Sequence, residues 1–277
     1  MPDWFRITEV EEGIFAIEEP GHVQSYLVNG TTHSALLDTG MGFRNIRDAI
    51  GPLLRENVVV LNTHWHYDHV GGNALFKEIG IAETEAQLLE SDWSSQTLRA
   101  VYVEPCLSEG MRFPGGFVPE EYSIQGTKAT FCIGEGSRFN LGDRVLEAIA
   151  TPGHTHGSMS FLDSATRSLF CGDFVIYNGP LYAHFEDSDF NEYLDSLDKL
   201  LNRFDRFNVM YPAHNDYPLP NDWLISVRNG FQKVVDGAVY AEVVEEWGEP
   251  AYCYQFDKFN MLVKMPNSKG VNLLAFH

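Results

Sequence analysis

The 277-residue sequence predicts an α/β fold, and three observations carry the prediction. Short apolar runs rich in β-branched residues, such as VVVL at 58–61, have the composition of strands buried on both faces. Segments of helical period lie between such runs, the clearest at 188–204, where Phe190, Leu194, Leu197, Leu201 and Phe204 form a stripe and Ser188 suits the N-cap. Four of the apolar runs also empty directly into a His or an Asp, which places metal-ligand residue types at strand ends.

Residues 13–17 and 24–29 alternate apolar and polar side chains and read as antiparallel strands. Residues 35–37 form a further strand that closes on Asp38-Thr39-Gly40, a step that suits a turn and equally suits a carboxylate orienting a metal ligand. Helical spacing of Phe43, Ile46, Ile50 and Leu54 predicts a helix over 43–54. After the strand at 58–61 comes THWHYDHVGG, and Gly71-Gly72 opens an amphipathic segment in which Ala74, Phe76 and Ile79 can face inward. A strand end and a short helix follow at 82–89.

Residues 91–136 lose any clear period. They hold Trp93, Tyr102, Phe113, Phe117 and Tyr122 among several Pro and Gly, the composition of a lid or binding loop, or of an insertion with a small core of its own. Regular structure resumes with strands at 138–143 and 145–150, and the second runs into TPGHTHGS around His154. Strands at 158–163 and 168–170 flank a hairpin turn, and the latter delivers Cys171-Gly172-Asp173. A strand at 208–211 ends in Pro212-Ala213-His214. Beyond Pro220 the sequence predicts a helix over 222–235 and aromatic strand-like stretches at 252–256 and 260–264.

Three imidazoles and a carboxylate fall within six positions, His64, His66, Asp68 and His69, and imidazole nitrogen is costly to bury unpaired. Strand alternation would let His64 and His66 point the same way and share one ion, while Asp68 and His69, where the backbone turns, reach a second position. His154, Asp173 and His214 repeat the pattern of a ligand type directly after a strand. His156 reads as more exposed and outside the ligand set.

Composition bounds the function. With 19 basic against 39 acidic residues and a net charge of -20, no basic face is expected for a nucleic-acid backbone. No run approaches the roughly 18 apolar residues of a membrane span, and the first residues lack a signal peptide's pattern, which predicts a cytoplasmic protein. Cys106, Cys132, Cys171 and Cys253 are widely separated and read as reduced thiols; Cys171, two residues before Asp173, is a conceivable thiolate ligand but more commonly such a residue is simply buried.

THWHYDH, His154 within TPGHTHGS, Asp173 in CGD and His214 in PAH, in this order, resemble the metallo-β-lactamase superfamily over about residues 13–220. The resemblance implies an αββα sandwich of two mixed sheets with helices on the outer faces. It divides the chain into a catalytic domain at 1–220, with the insertion at 91–136, and an extension at 221–277. From the ligand set of the glyoxalase II type it implies that His64, His66 and His154 hold one metal, that Asp68, His69 and His214 hold a second, and that Asp173 bridges them. Zinc suits these donors, as do iron and manganese. Two divalent ions imply hydrolysis of an ester, thioester or lactone by a bridging hydroxide, with Asp68 also orienting the nucleophile or taking its proton. CGDFVIYNGPLY, SDFNEYLDSLDKL and PAHNDY look closest to the branch with acyl-coenzyme A thioesterases, and Tyr177 stands near the tyrosine of the lactonases. The expected partner is therefore a small, acyl-bearing molecule, and a homodimer is compatible with this reading. The rivals are a mononuclear iron persulfide dioxygenase on the same fold, a β-lactam-hydrolysing enzyme, and a scaffold that binds without catalysis.

Overall fold

A computed structural model describes residues 4–265. The chain is α/β, with three mixed sheets among the described residues. It folds as two compact units, one comprising residues up to Ile149 with Phe161–Thr166, the other Ala150–Ser160 with residues from Arg167 onward.

The first unit holds a seven-stranded sheet in sequential order: β1 (Arg6–Glu11), β2 (Ile14–Glu19), β3 (Val23–Asn29), β4 (His33–Leu37), β5 (Asn57–Leu61), β6 (Ile79–Ala82) and β7 (Phe131–Ile133). Pairing is antiparallel from β1 to β4 and parallel from β4 to β7. The β4–β5 register sets Leu36 opposite Val60 and Leu37 opposite Leu61. Leu36, Val60, Leu27, Ile50 and Ile81, all fully buried, share one core, where truncating a leucine to alanine costs about 2–5 kcal/mol.

The helix expected over 43–54 is shorter: α1 (Ile46–Ile50), followed by a 3-10 turn at Gly51–Leu53. Asn45 caps it by accepting from the Asp48 amide at 3.0 Å, which places Phe43 ahead of the helix, and Pro52 has no amide to continue the α-helical ladder. β5 ends at Leu61, so His64 lies past the strand, and α2 (Tyr67–Val70) is a single turn with His66 at its N-cap. Strand alternation therefore does not align His64 with His66; a loop and one helical turn do. The segment after Gly72 is a 3-10 turn leading into β6, with Phe76 and Ile79 buried but Ala74 exposed.

The insertion is partly helical: α3 (Ser95–Leu98), a π-helical stretch at Arg99–Val103 and α4 (Glu104–Ser108) run consecutively. Ser94 caps the run, and its mixture of polar, β-branched and Pro residues hid the period. Tyr102, Phe113, Phe117 and Tyr122 pack around Phe43 with ring centroids at 4.9–6.5 Å, so the aromatic residues share a core with the segment before α1.

A six-stranded sheet is built from β8 (Arg138–Asn140), β9 (Val145–Ala150), β10 (Met159–Asp163), β11 (Ser168–Gly172), β13 (Val209–Pro212) and β14 (Leu219–Pro220), in the order β14-β13-β11-β10-β9-β8. In the second unit β11 and β13 pair in parallel, and Phe170 stacks on Tyr211 at 5.3 Å. α5 (Phe190–Leu201) buries Tyr193, Leu197 and Leu200, a face rotated from the expected stripe, because Tyr193 closes on the backbone of Gly153. A Cβ on Gly153, whose φ is +142°, would meet Tyr193 Cα at 2.4 Å, so only glycine fits before His154. Asp189 rather than Ser188 caps α5, its carboxylate accepting from the amides of Asn191 and Glu192. α6 (Trp223–Val235) packs on α5 through Phe231, and Arg228 grips Asp198 with two hydrogen bonds.

The predicted C-terminal strands belong to a third sheet. Its members are β12 (Gly179–Ala183), β15 (Ala241–Glu246), β16 (Glu249–Gln255) and β17 (Phe259–Lys264), in the order β12-β17-β16-β15. β12 and β15, rich in Gly, Pro and Glu, carried no strand signal. No helix among the described residues is long and apolar enough to cross a membrane.

Candidate metal centre

Asp38 follows β4 with φ of 60°, and its buried carboxylate accepts three hydrogen bonds, from the Thr63 amide and hydroxyl, both at 2.7 Å, and from His69 Nδ1 at 2.9 Å. Asp38 is thus a turn residue whose carboxylate also orients the His69 ring. The loop after it is clamped to the His motif: the Thr39 amide donates to the His69 carbonyl, the Gly71 amide donates to the Gly40 carbonyl, and Gly42 approaches Gly71 so closely that a Cβ would lie 2.4 Å from its oxygen.

Proton bookkeeping assigns the imidazole tautomers. The single hydroxyl proton of Thr63 goes to Asp38, so its oxygen can only accept from His64 Nδ1, 3.0 Å away. His69 Nδ1 donates to Asp38, and His154 Nδ1 donates to the Tyr182 carbonyl at 3.0 Å, since a carbonyl only accepts. All three rings in their neutral form therefore carry the proton on Nδ1 and present a lone pair at Nε2.

Ligand-type atoms of His64, His66 and His154 lie within 4.8 Å of one another, as do those of His64, His69 and Asp173, and those of Asp68, His69 and His214. His64 Nε2 is 3.1 Å from His66 Nδ1. Asp173 offers one carboxylate oxygen toward His154 Nε2, at 3.6 Å, and the other toward His214 Nε2, at 3.4 Å. Its backbone is held by Tyr193, whose hydroxyl donates to the carbonyls of Phe174 and Asp173. Imidazole and carboxylate donors gathered this closely, with the Nδ1 protons of His64, His69 and His154 turned away, fit divalent cations bound through nitrogen and oxygen.

His64, His69 and His154 are 0–1% exposed, whereas the side chains of Asp68 and His214 are 16% and 20% exposed, so solvent or substrate reaches the latter pair. Tyr177 is half-buried, with its ring edge-on to Trp223 at 4.9 Å, and its hydroxyl hydrogen-bonds none of the seven donors. Cys171 belongs to none of the three donor groups, and burial pushes its thiol well above the ordinary range, as a neutral core residue requires. His156 pairs at the surface with Glu192 at 2.7 Å.

Two further residues, Thr63 and Glu19, were not expected at the site. Thr63 was legible as the hydroxyl preceding the motif. Glu19 is 2% exposed and accepts from Trp4 Nε1 and the Met41 amide, both at 2.7 Å. Burial, with the charge of Asp68 adding and those two donors opposing, pushes its carboxyl up to about 7. The Tyr182 carbonyl could not have been found, because a backbone oxygen has no residue signature. A separate cavity lined by Glu9, Glu12, Arg55, Asp143 and Arg144 shares no residue with the cluster, and Arg144 is already committed to Asp163 and the Glu12 carbonyl.

The sequence profile of the metallo-β-lactamase superfamily matches residues 19–214. The chain belongs to this superfamily. As a member, it has the metallo-β-lactamase fold expected from its motifs. It is 28% identical over 232 residues to the acyl-coenzyme A thioesterase MBLAC2 of Homo sapiens, covering 76% of this chain and 81% of that protein. It is 30% identical over 141 residues to a hydroxyacylglutathione hydrolase of Rhodospirillum rubrum (strain ATCC 11170 / ATH 1.1.1 / DSM 467 / LMG 4362 / NCIMB 8255 / S1), covering 51% of this chain and 42% of that protein. Among solved structures, a metallo-β-lactamase from Pontibacter korlensis superposes with a TM-score of 0.59 at 17% identity, over 82% of this chain and 99% of that one; this likeness is one of fold.

Proposed function

We propose that this superfamily member is a metal-dependent hydrolase of acyl thioesters, with two divalent ions, zinc first among the candidates. The observation that carries the metal reading is the gathering of seven ligand-type side chains, three of whose imidazoles, His64, His69 and His154, have the Nδ1 proton committed elsewhere. His64, His66 and His154 would hold one ion and Asp68, His69 and His214 the other, and Asp173 would serve both. Bound there, the ions supply Lewis acidity toward an acyl carbonyl and acidify water from a pKa of about 15.7 toward about 7.

The chain's own groups do the rest. Asp38 and the Tyr182 carbonyl keep His69 and His154 in one tautomer and orientation. Asp68, less buried than His69, would orient the nucleophile and take its proton at a carboxylate oxygen. Tyr177 would donate from its phenol to the substrate carbonyl. The acyl group would lie against aromatic side chains of the insertion at 91–136, within a catalytic region spanning 1–220. The thioester is favoured among acyl bonds by the relatives, one named an acyl-coenzyme A thioesterase and another a hydroxyacylglutathione hydrolase. A persulfide dioxygenase with one iron would have no need of the second group formed by Asp68, His69 and His214.

Metal analysis joined to a panel of acyl-coenzyme A thioesters, lactones and β-lactams tests the proposal. Two ions per chain and thioester turnover that chelation abolishes and zinc restores are expected. Fully loaded protein that leaves every thioester intact, or that consumes oxygen with a persulfide, would refute it.

A further inference from the structure

His154 is held by the segment after Asp173. Its Nδ1 donates to the Tyr182 carbonyl, Phe185 stands edge-on to its ring at 5.8 Å, and its own carbonyl accepts from the Ser188 hydroxyl at 2.7 Å. That segment is in turn held by the C-terminal strands. β12 pairs in parallel with β17, Tyr182 opposite Leu262, and the Tyr182 side chain packs on the small core of Ala251, Cys253 and Leu262. His184 Nε2 donates to the Glu246 carbonyl at 3.3 Å, Lys264 Nζ donates to the Glu186 carbonyl at 2.9 Å, and the Asn178 amide donates to the Lys258 carbonyl at 2.7 Å. Residues 178–186 are thus anchored at both ends and in the middle by elements that contribute no donor to the metal cluster.

We infer that the C-terminal strands β15–β17 are a positioning device for His154: through β12 they fix the carbonyl that sets its tautomer and ring orientation, and so tune metal affinity from outside the ligand set. The reason is geometric. A ligand's hydrogen-bond acceptor works only if held within a few tenths of an ångström, and a backbone oxygen on β12 is immobilised by the strand beside it. Leu262 is the residue through which this anchoring is most directly loosened, because its side chain, 1% exposed, backs Tyr182 in the shared core. The inference rests on the proposed role of His154 as a ligand.

The test compares Leu262→Ala, and the gentler Val244→Ala in the same small core, with Ile50→Ala in the core of the first unit. Two quantities are read: zinc affinity of the metal-free full chain, by competition with a chromophoric chelator, and solvent exchange of the His154 Nδ1 proton, by NMR of the metal-free chain. Leu262→Ala should weaken zinc about tenfold or more and speed that exchange, with Val244→Ala weaker in the same direction. Ile50→Ala should lower Tm comparably while leaving both readouts at the wild-type value. Equal losses in all three variants, or unchanged zinc affinity in Leu262→Ala, would overturn the inference. If wild type binds zinc but hydrolyses no thioester while Leu262→Ala still loses metal, the proposed substrate falls and the positioning role stands. If the variants keep wild-type affinity in a protein that does hydrolyse thioesters, the reverse holds.

Discussion

Asp38 shows how a single residue supports several others. Its carboxylate accepts from the backbone and hydroxyl of Thr63 and from His69, so one charge sets two imidazole tautomers, directly at His69 and through the Thr63 hydroxyl at His64. Asn in its place keeps the shape but puts an NH2 where one oxygen accepted, turning an N–H or O–H donor against another donor. Asp38→Asn should therefore lower zinc affinity about 10–100-fold with little change in fold, measured by chelator competition and circular dichroism. Unaltered affinity would mean that the tautomer assignment does not matter to binding. Tyr177 tests the opposite case, a group outside the donor cluster. Tyr177→Phe leaves the packing on Trp223 in place, so kcat on a thioester should fall about tenfold at constant metal content if its phenol touches the substrate, and an unchanged kcat would remove it from the site.

Among the elements, the insertion carries its meaning in how it is anchored. Its aromatic residues were legible in the sequence, but not whether they formed a core of their own. They pack on Phe43 and, through the contact of Tyr102 with His22, on the turn after β2. Ring contacts reach the His motif itself: Trp93 stacks on Trp65 at 5.6 Å and meets Tyr67 edge-on at 5.3 Å, and Tyr102 meets Tyr67 at 5.4 Å. Phe113 and Phe117 stack on each other at 4.7 Å and, like Trp93, remain half-buried, so a ligand can reach them. Replacing both with Ala should shift kcat/KM between short and long acyl chains several-fold, with metal content intact; equal effects at every chain length would leave these rings a purely structural role.

At the scale of the whole molecule, a net charge of -20 sets the background against which one buried carboxyl stands out. Glu19 holds its proton up to about 7 in the folded chain, whereas the unfolded chain releases it near 4.5. The folded state thus binds more protons between those values, and its contribution to stability is fully present below about 4.5 and lost as pH rises to about 7. The difference amounts to about 3 kcal/mol at most. Urea unfolding of the metal-free chain at pH 5 and pH 8 should show this decline, and Glu19→Gln, which has no proton to lose, should lessen it. An identical pH response in the two proteins would show that Glu19 titrates normally.

The sequence alone determined the α/β class and the strands that precede the clustered His and Asp residues, and it marked the side-chain types a metal would use, because a buried strand needs an unbroken apolar run and a metal needs a small set of side chains. Both requirements leave their mark on residue identity. What tertiary structure decided is what depends on backbone atoms and on residues far apart: the loop and single helical turn that aim His64 and His66, the Tyr193 approach that demands Gly153, and the pairing of β12 with β17 behind His154. A carbonyl oxygen or a strand neighbour is the same chemistry in every residue, so no pattern of letters could have announced it.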